Sequence, residues 1–112
     1  MELKWTRKTL SDLSRLYEFL APVNRQAAAD TVQSLSAAPV RLLKHPRIGE
    51  RLEEFDPREV RRLLVGRYEM RYEIQESILY VLRLSILLPE GEGTLRSVSV
   101  VGVDGKTYLT GY

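Results

Sequence analysis

Residues 59–84 constrain the fold more than any other stretch. Tyr68, Met70, Tyr72 and Ile74 alternate with Glu69, Arg71, Glu73 and Gln75. This period of two is that of a β-strand with one buried and one wet face. Val60 to Val65 forms a strand before it, closed by Gly66-Arg67, and Ile78 to Leu84 forms one after it, beyond Gln75-Glu76-Ser77. Connections this short force neighbouring strands to run antiparallel. The stretch is therefore a three-stranded meander, and what precedes it must cover its apolar face.

Upstream, Glu2 to Thr6 alternates Leu3 and Trp5 with polar residues and reads as a short strand with Trp5 in the core. Leu10, Leu13, Leu16, Tyr17 and Leu20 recur at helical spacing, so an amphipathic helix is expected from about Lys8 to Leu20. Thr9 and Asp12 have the spacing of a capping box, with Asp in place of Glu. Ala21-Pro22 ends the helix, because a residue before proline avoids the helical region. Asn24 caps a second helix whose face is marked by Ala28, Val32 and Leu35, and Pro39 predicts a kink or break. Two helices joined at Pro22-Val23 form an antiparallel hairpin that can lie over the sheet. Lys44 to Gly49 is a turn cluster and Arg51 to Arg58 a charged loop.

The chain of 112 residues has room for one core. With no cysteine it has no disulfide, thiolate metal site or cysteine nucleophile, which suits a reducing cytoplasm. The N-terminus lacks the apolar run of a signal peptide, and charged residues break every apolar stretch short of a membrane span. One histidine and scattered carboxylates offer no metal set, and glycine-rich phosphate loops are absent, so no cofactor is expected. The net charge of +2 is modest, but nine basic residues lie between Arg41 and Arg71. They suit either an anionic partner or a solvated face.

The order strand, helix hairpin, loop, meander resembles the RelE/ParE superfamily of toxins from type II toxin–antitoxin modules. Trp5, Asp12-Leu13 and Leu16-Tyr17 carry the resemblance in the first half. Leu43-Lys-His-Pro46 with Gly49, Val60-Arg-Arg62, Val65-Gly-Arg-Tyr68, Tyr72 and Val81-Leu-Arg-Leu84 carry it in the second. It covers about residues 1–84, leaving 85–112 as an atypical tail. The resemblance implies an α+β domain of order β-α-α-β-β-β, with a helix hairpin packed on a twisted antiparallel sheet. In the tail, valine-rich 96–103, Asp104-Gly105 and 107–110 have the pattern of an extra β-hairpin. An exposed sheet edge is a hazard, so a strand from the antitoxin or from residues 96–110 is expected to pair along it.

The resemblance further implies a toxin silenced by a cognate antitoxin in a hetero-oligomer, with no membrane role. ParE-like members poison DNA gyrase, whereas RelE-like members cut mRNA on the ribosome without a metal. The nuclease reading requires cations around a phosphate and an acid–base pair. Arg62 and Arg83 are its candidates here. Leu64 and Glu69, however, stand where nuclease members tend to carry arginine, and Pro89-Glu-Gly-Glu92 brings two carboxylates near the sheet's end. Gyrase binding is therefore the leading expectation, with Leu13, Tyr17, Leu20, Arg62, Arg71 and Arg83 as partner-binding candidates. ParE-like proteins usually end on a short basic or His-containing segment that matters for toxicity. The tail departs from this, so a third reading keeps the fold and the antitoxin grip with weakened toxicity.

Among the remaining residues, His45 reads as a turn residue, and Tyr68 and Tyr72 as core. Arg61 and Arg62 must face opposite sides of their strand. One of them therefore needs a partner near the helices or the sheet edge, with Glu53, Glu54 and Glu59 available.

Overall fold

The structure is a computed structural model that describes residues 1–89, 95–103 and 106–111, with side chains described over 1–88. The elements are β1 (Glu2–Trp5), α1 (Arg7–Leu20), α2 (Arg25–Ala37), a 3-10 helix (Ala38–Leu43), β2 (Glu50–Arg51), a 3-10 turn (Glu53–Phe55), β3 (Glu59–Val65), β4 (Tyr68–Gln75), β5 (Ile78–Pro89), β6 (Leu95–Val103) and β7 (Lys106–Gly111).

The meander forms as its alternation requires. β3 pairs antiparallel with β4, and β4 with β5. Gly66 supplies a positive φ of 59° at the first two-residue turn, and Glu76 takes φ 54° at the second, where a side chain is strained. β2 extends the sheet beside β3. β1 joins by pairing in parallel with β5, so the sheet is mixed around an antiparallel meander. β6 and β7 continue it antiparallel beyond β5. A strand from the tail thus pairs along an edge, and the expected Asp104-Gly105 turn lies outside the described residues.

Leu16, Leu35 and Leu42 meet Met70, Tyr72, Leu79 and Val81 in the core, with Trp5 and Tyr68 packed partly buried at its margin. Each fully buried aliphatic side chain contributes about 1.5–3 kcal/mol of transfer free energy. Asn24 caps α2 as expected, its side chain accepting from the Ala27 N–H at 3.0 Å. Pro39 acts as predicted, since the α-helix stops at Ala37 and continues as a tighter 3-10 helix.

The start of α1 differs from expectation. Thr6, not Thr9, is the N-cap, and its Oγ1 accepts from the Thr9 N–H at 3.3 Å. Thr9 and Asp12 are buried and serve the sheet instead. Along one edge β5 pairs with β1 over Ile78–Val81 and with β6 over Ile86–Pro89. A bulge at Leu82 sits between them, because Arg71 faces Arg83 while Tyr72 faces Val81. α1 fills this gap with polar side chains. Thr6 and Thr9 hydroxyls each donate to the Val81 carbonyl at 2.7 Å, and Asp12 Oδ2 accepts from the Leu84 N–H at 2.9 Å. The unpaired stretch of strand is thereby satisfied by a helix.

Candidate partner-binding surfaces

The sheet face away from the helices is less wet than the alternation predicts. Residues directly opposite one another share a face, so Val60, Arg62 and Leu64 lie with Glu73, Arg71 and Glu69. Glu69 is 1% exposed and Glu73 4%. Burying a carboxylate requires paired cations, and arginines supply them. Glu69 accepts from Arg62 at 3.1 Å and from Arg71 at 2.8 Å. Arg58 grips Glu73 through two hydrogen bonds of 2.8 and 3.0 Å. Those bonds hold the Glu73 carboxyl below its usual range against the opposing effect of burial. Arg62 also pairs with Glu50 at 2.8 Å, and Phe55 lies under the Arg71 guanidinium at 5.7 Å. The segment from β2 to Phe55 thus folds over this face beside buried Leu52 and Val60.

Of the six residues singled out in the sequence, Arg62 and Arg71 share Glu69. Arg83 stands opposite Arg71 across the β4–β5 pairing and meets Asp12 of α1 at 3.3 Å. Leu13 is only 8% exposed and packs in the core. Leu20 is half-buried against the same core, and Tyr17 is 39% exposed. Leu10 stands two turns before Tyr17 on the same flank and is 52% exposed. The sequence placed it on the apolar face, because spacing alone does not tell the middle of a helical stripe from its margin.

A second surface surrounds residues 40–48. Tyr72 is fully buried, and its hydroxyl donates to the Pro46 carbonyl at 2.8 Å while accepting from the Gly49 N–H at 3.0 Å. Burial pushes the Tyr72 phenol up from its ordinary value. Arg61, on the helix-facing side of β3, donates to the Gly49 carbonyl at 2.7 Å and pairs with Glu59 at 2.9 Å. The partner required for this arginine is thus Glu59. Glu59 also takes Arg47 at 2.9 Å. Burial alone would raise the Glu59 carboxyl, but the hydrogen bonds from Arg61 and Arg47 bring it below its usual range. At Gly49 a Cβ would lie 2.5 Å from the Tyr72 hydroxyl and 2.6 Å from the Arg62 carbonyl, so glycine permits this close approach. His45 is an exposed turn residue, as expected.

Among the described residues no cluster of potential metal ligands occurs, and no helix is long and apolar enough to cross a membrane. The family model of the ParE toxin of the type II toxin–antitoxin system parDE matches residues 3–85. The chain belongs to the ParE toxin family. As a ParE-family chain it is the toxin component of a parDE type II system, a setting that gives it an antitoxin for a partner. A solved structure of a chromosomal ParDE system from P. aeruginosa is similar in fold, with a TM-score of 0.65 at 24% identity. The match covers 77% of this ParE-family chain and 95% of that one. A search of curated proteins gives no match.

Proposed function

We propose that this toxin acts by binding DNA gyrase and is neutralised when its antitoxin occupies it. Membership of the ParE family supports the reading, and the buried Glu69 is the structural observation that carries it. An RNA-cutting site would need to hold a phosphate on the sheet. Arg62 and Arg71 there already converge on Glu69, whose side chain is fully buried. A phosphate approaching them would meet a fixed carboxylate, and Coulomb repulsion between like charges grows as water is excluded. Gyrase binding asks only for a protein-binding surface. For the antitoxin, the exposed flank of Leu10 and Tyr17 with the half-buried Leu20 offers an apolar seat along α1.

Supercoiling by purified gyrase tests the proposal, run beside cleavage of mRNA on purified ribosomes. Inhibited supercoiling with intact mRNA is the expected result. Ribosome-dependent cleavage with unaffected gyrase would overturn it in favour of an mRNA interferase. Induction without antitoxin is expected to arrest growth, and full growth would instead support a protein that keeps the antitoxin grip without toxicity.

A further inference from the structure

The segment from Val40 to Ile48 combines two properties that usually exclude each other. It is held tightly, and it exposes apolar side chains. Ile48 is 67% exposed, Val40 56% and Leu43 37%. In a 3-10 helix residues three apart eclipse one another. Val40 and Leu43 therefore form one outward row, and Arg41 and Lys44 another, while Leu42 turns inward as a fully buried anchor. Beyond this helix, Lys44, His45, Pro46, Arg47 and Ile48 line a hollow of about 420 Å³.

The hold comes from below. Tyr72 and Arg61 bond the backbone at Pro46, Arg47 and Gly49, and Glu59 takes the Arg47 side chain. These contacts draw on buried or half-buried groups of the sheet, so the loop keeps its shape without a partner. Residues 40–48 contain three Lys or Arg and no carboxylate. Arg41 and Lys44 make no ion pair among the described residues. Exposed apolar side chains in a fixed frame of cations are complementary to an acidic segment carrying apolar residues. A nucleic acid backbone would use the cations and leave Val40, Leu43 and Ile48 with nothing to bury. Fixing the loop in advance lowers the ordering cost of binding.

We propose that residues 40–48 are a preformed docking surface for an acidic, apolar-bearing segment of the toxin's target protein. The word target rests on the reading of the chain as a target-binding toxin; the surface and its chemistry do not. The test uses a short fluorescein-labelled peptide of glutamate and leucine at helical spacing, its lysine-for-glutamate counterpart and a short single-stranded RNA. Each is titrated by anisotropy into the full chain and into the variants Ile48→Ser and Arg41→Glu/Lys44→Glu, with gyrase supercoiling measured in parallel. All three positions are exposed, so both variants should keep the wild-type unfolding midpoint.

The expected result is that the acidic peptide binds wild type, that each variant loosens it about tenfold, and that gyrase inhibition weakens in step. Added salt should weaken the peptide complex, and more so in Ile48→Ser than in the double variant, which lacks the cations. Peptide binding that both variants leave unchanged would overturn the proposal, as would RNA binding in preference to the acidic peptide. If wild type leaves gyrase untouched while peptide binding still depends on these residues, the gyrase reading falls and the docking surface stands. If gyrase inhibition survives both variants at full strength, the gyrase reading stands and this surface is not its contact.

Discussion

Asp12 gives the most discriminating prediction, because one carboxylate serves both a helix and an interrupted strand. It is 4% exposed, accepts from the Leu84 N–H at 2.9 Å, and pairs with Arg83 at 3.3 Å. Asp12→Ala removes a charge-assisted hydrogen bond and leaves the Leu84 N–H buried beneath α1 without its acceptor. An orphaned buried donor costs about 1–3 kcal/mol, and loss of the pair with partly exposed Arg83 adds about 1 kcal/mol, roughly 2–4 kcal/mol in all. Asp12→Asn retains an oxygen for Leu84 and loses only the charge, for about 1 kcal/mol. A domain of this size is stable by about 5–15 kcal/mol, with roughly 4 °C of melting temperature per kcal/mol. Asp12→Ala should therefore melt about 8–16 °C below wild type and Asp12→Asn about 4 °C below. Thermal unfolding followed by circular dichroism measures both. If Asp12 were only a helix-cap residue, Ala and Asn would both sit within about 1 kcal/mol of wild type, and that result would refute the gap-filling account. Equal, large losses in both variants would instead assign the effect to the charge on Arg83.

Tyr72→Phe keeps the ring but strands the Gly49 N–H, so it should lose about 2–4 kcal/mol. Its amides at 46–49 should exchange hydrogen faster than wild type while the α2 amides do not. Glu76→Gly should gain up to about 1 kcal/mol, since glycine accepts the positive φ that costs other residues 1–2 kcal/mol; an unchanged urea midpoint would contradict this. Glu73 and Glu59 have lowered carboxyl values, so the unfolded chain binds their protons first as pH falls. Their contribution is present above the ordinary carboxyl value of 4.5 and fades as pH drops below it. Arg58→Gln should flatten that part of the stability–pH curve, and a curve that stays as steep would remove Glu73 from the account.

The meander was legible because period two and two-residue turns are local signals, and Asn24 because a cap acts on its own helix. The parallel placement of β1 was not legible, since four residues say nothing about which edge they join. Thr9 and Asp12 matched a capping spacing, and only the gap in β5 reveals their use. Glu69 and Glu73 looked wet because alternation is the same whether water or arginine covers the polar side. The residues cinching the loop at 44–49 are spread from Pro46 to Tyr72, so their convergence is a property of the fold and not of any one stretch. Leu10 and Leu13 share the apolar spacing, but three residues place them about 60° apart around the helix, enough to bury Leu13 and leave Leu10 exposed.

The parallel pairing of β1 with Ile78–Val81 has a consequence during synthesis. Residues 2–5 must wait for residues 78–81 before they find their place, and α1 cannot close over β5 until that strand exists. Chains grow at about 5–20 residues per second, so β1 spends seconds without its partner strand during synthesis. The packed family domain therefore arises only after β5 has been made, seconds later than its helices.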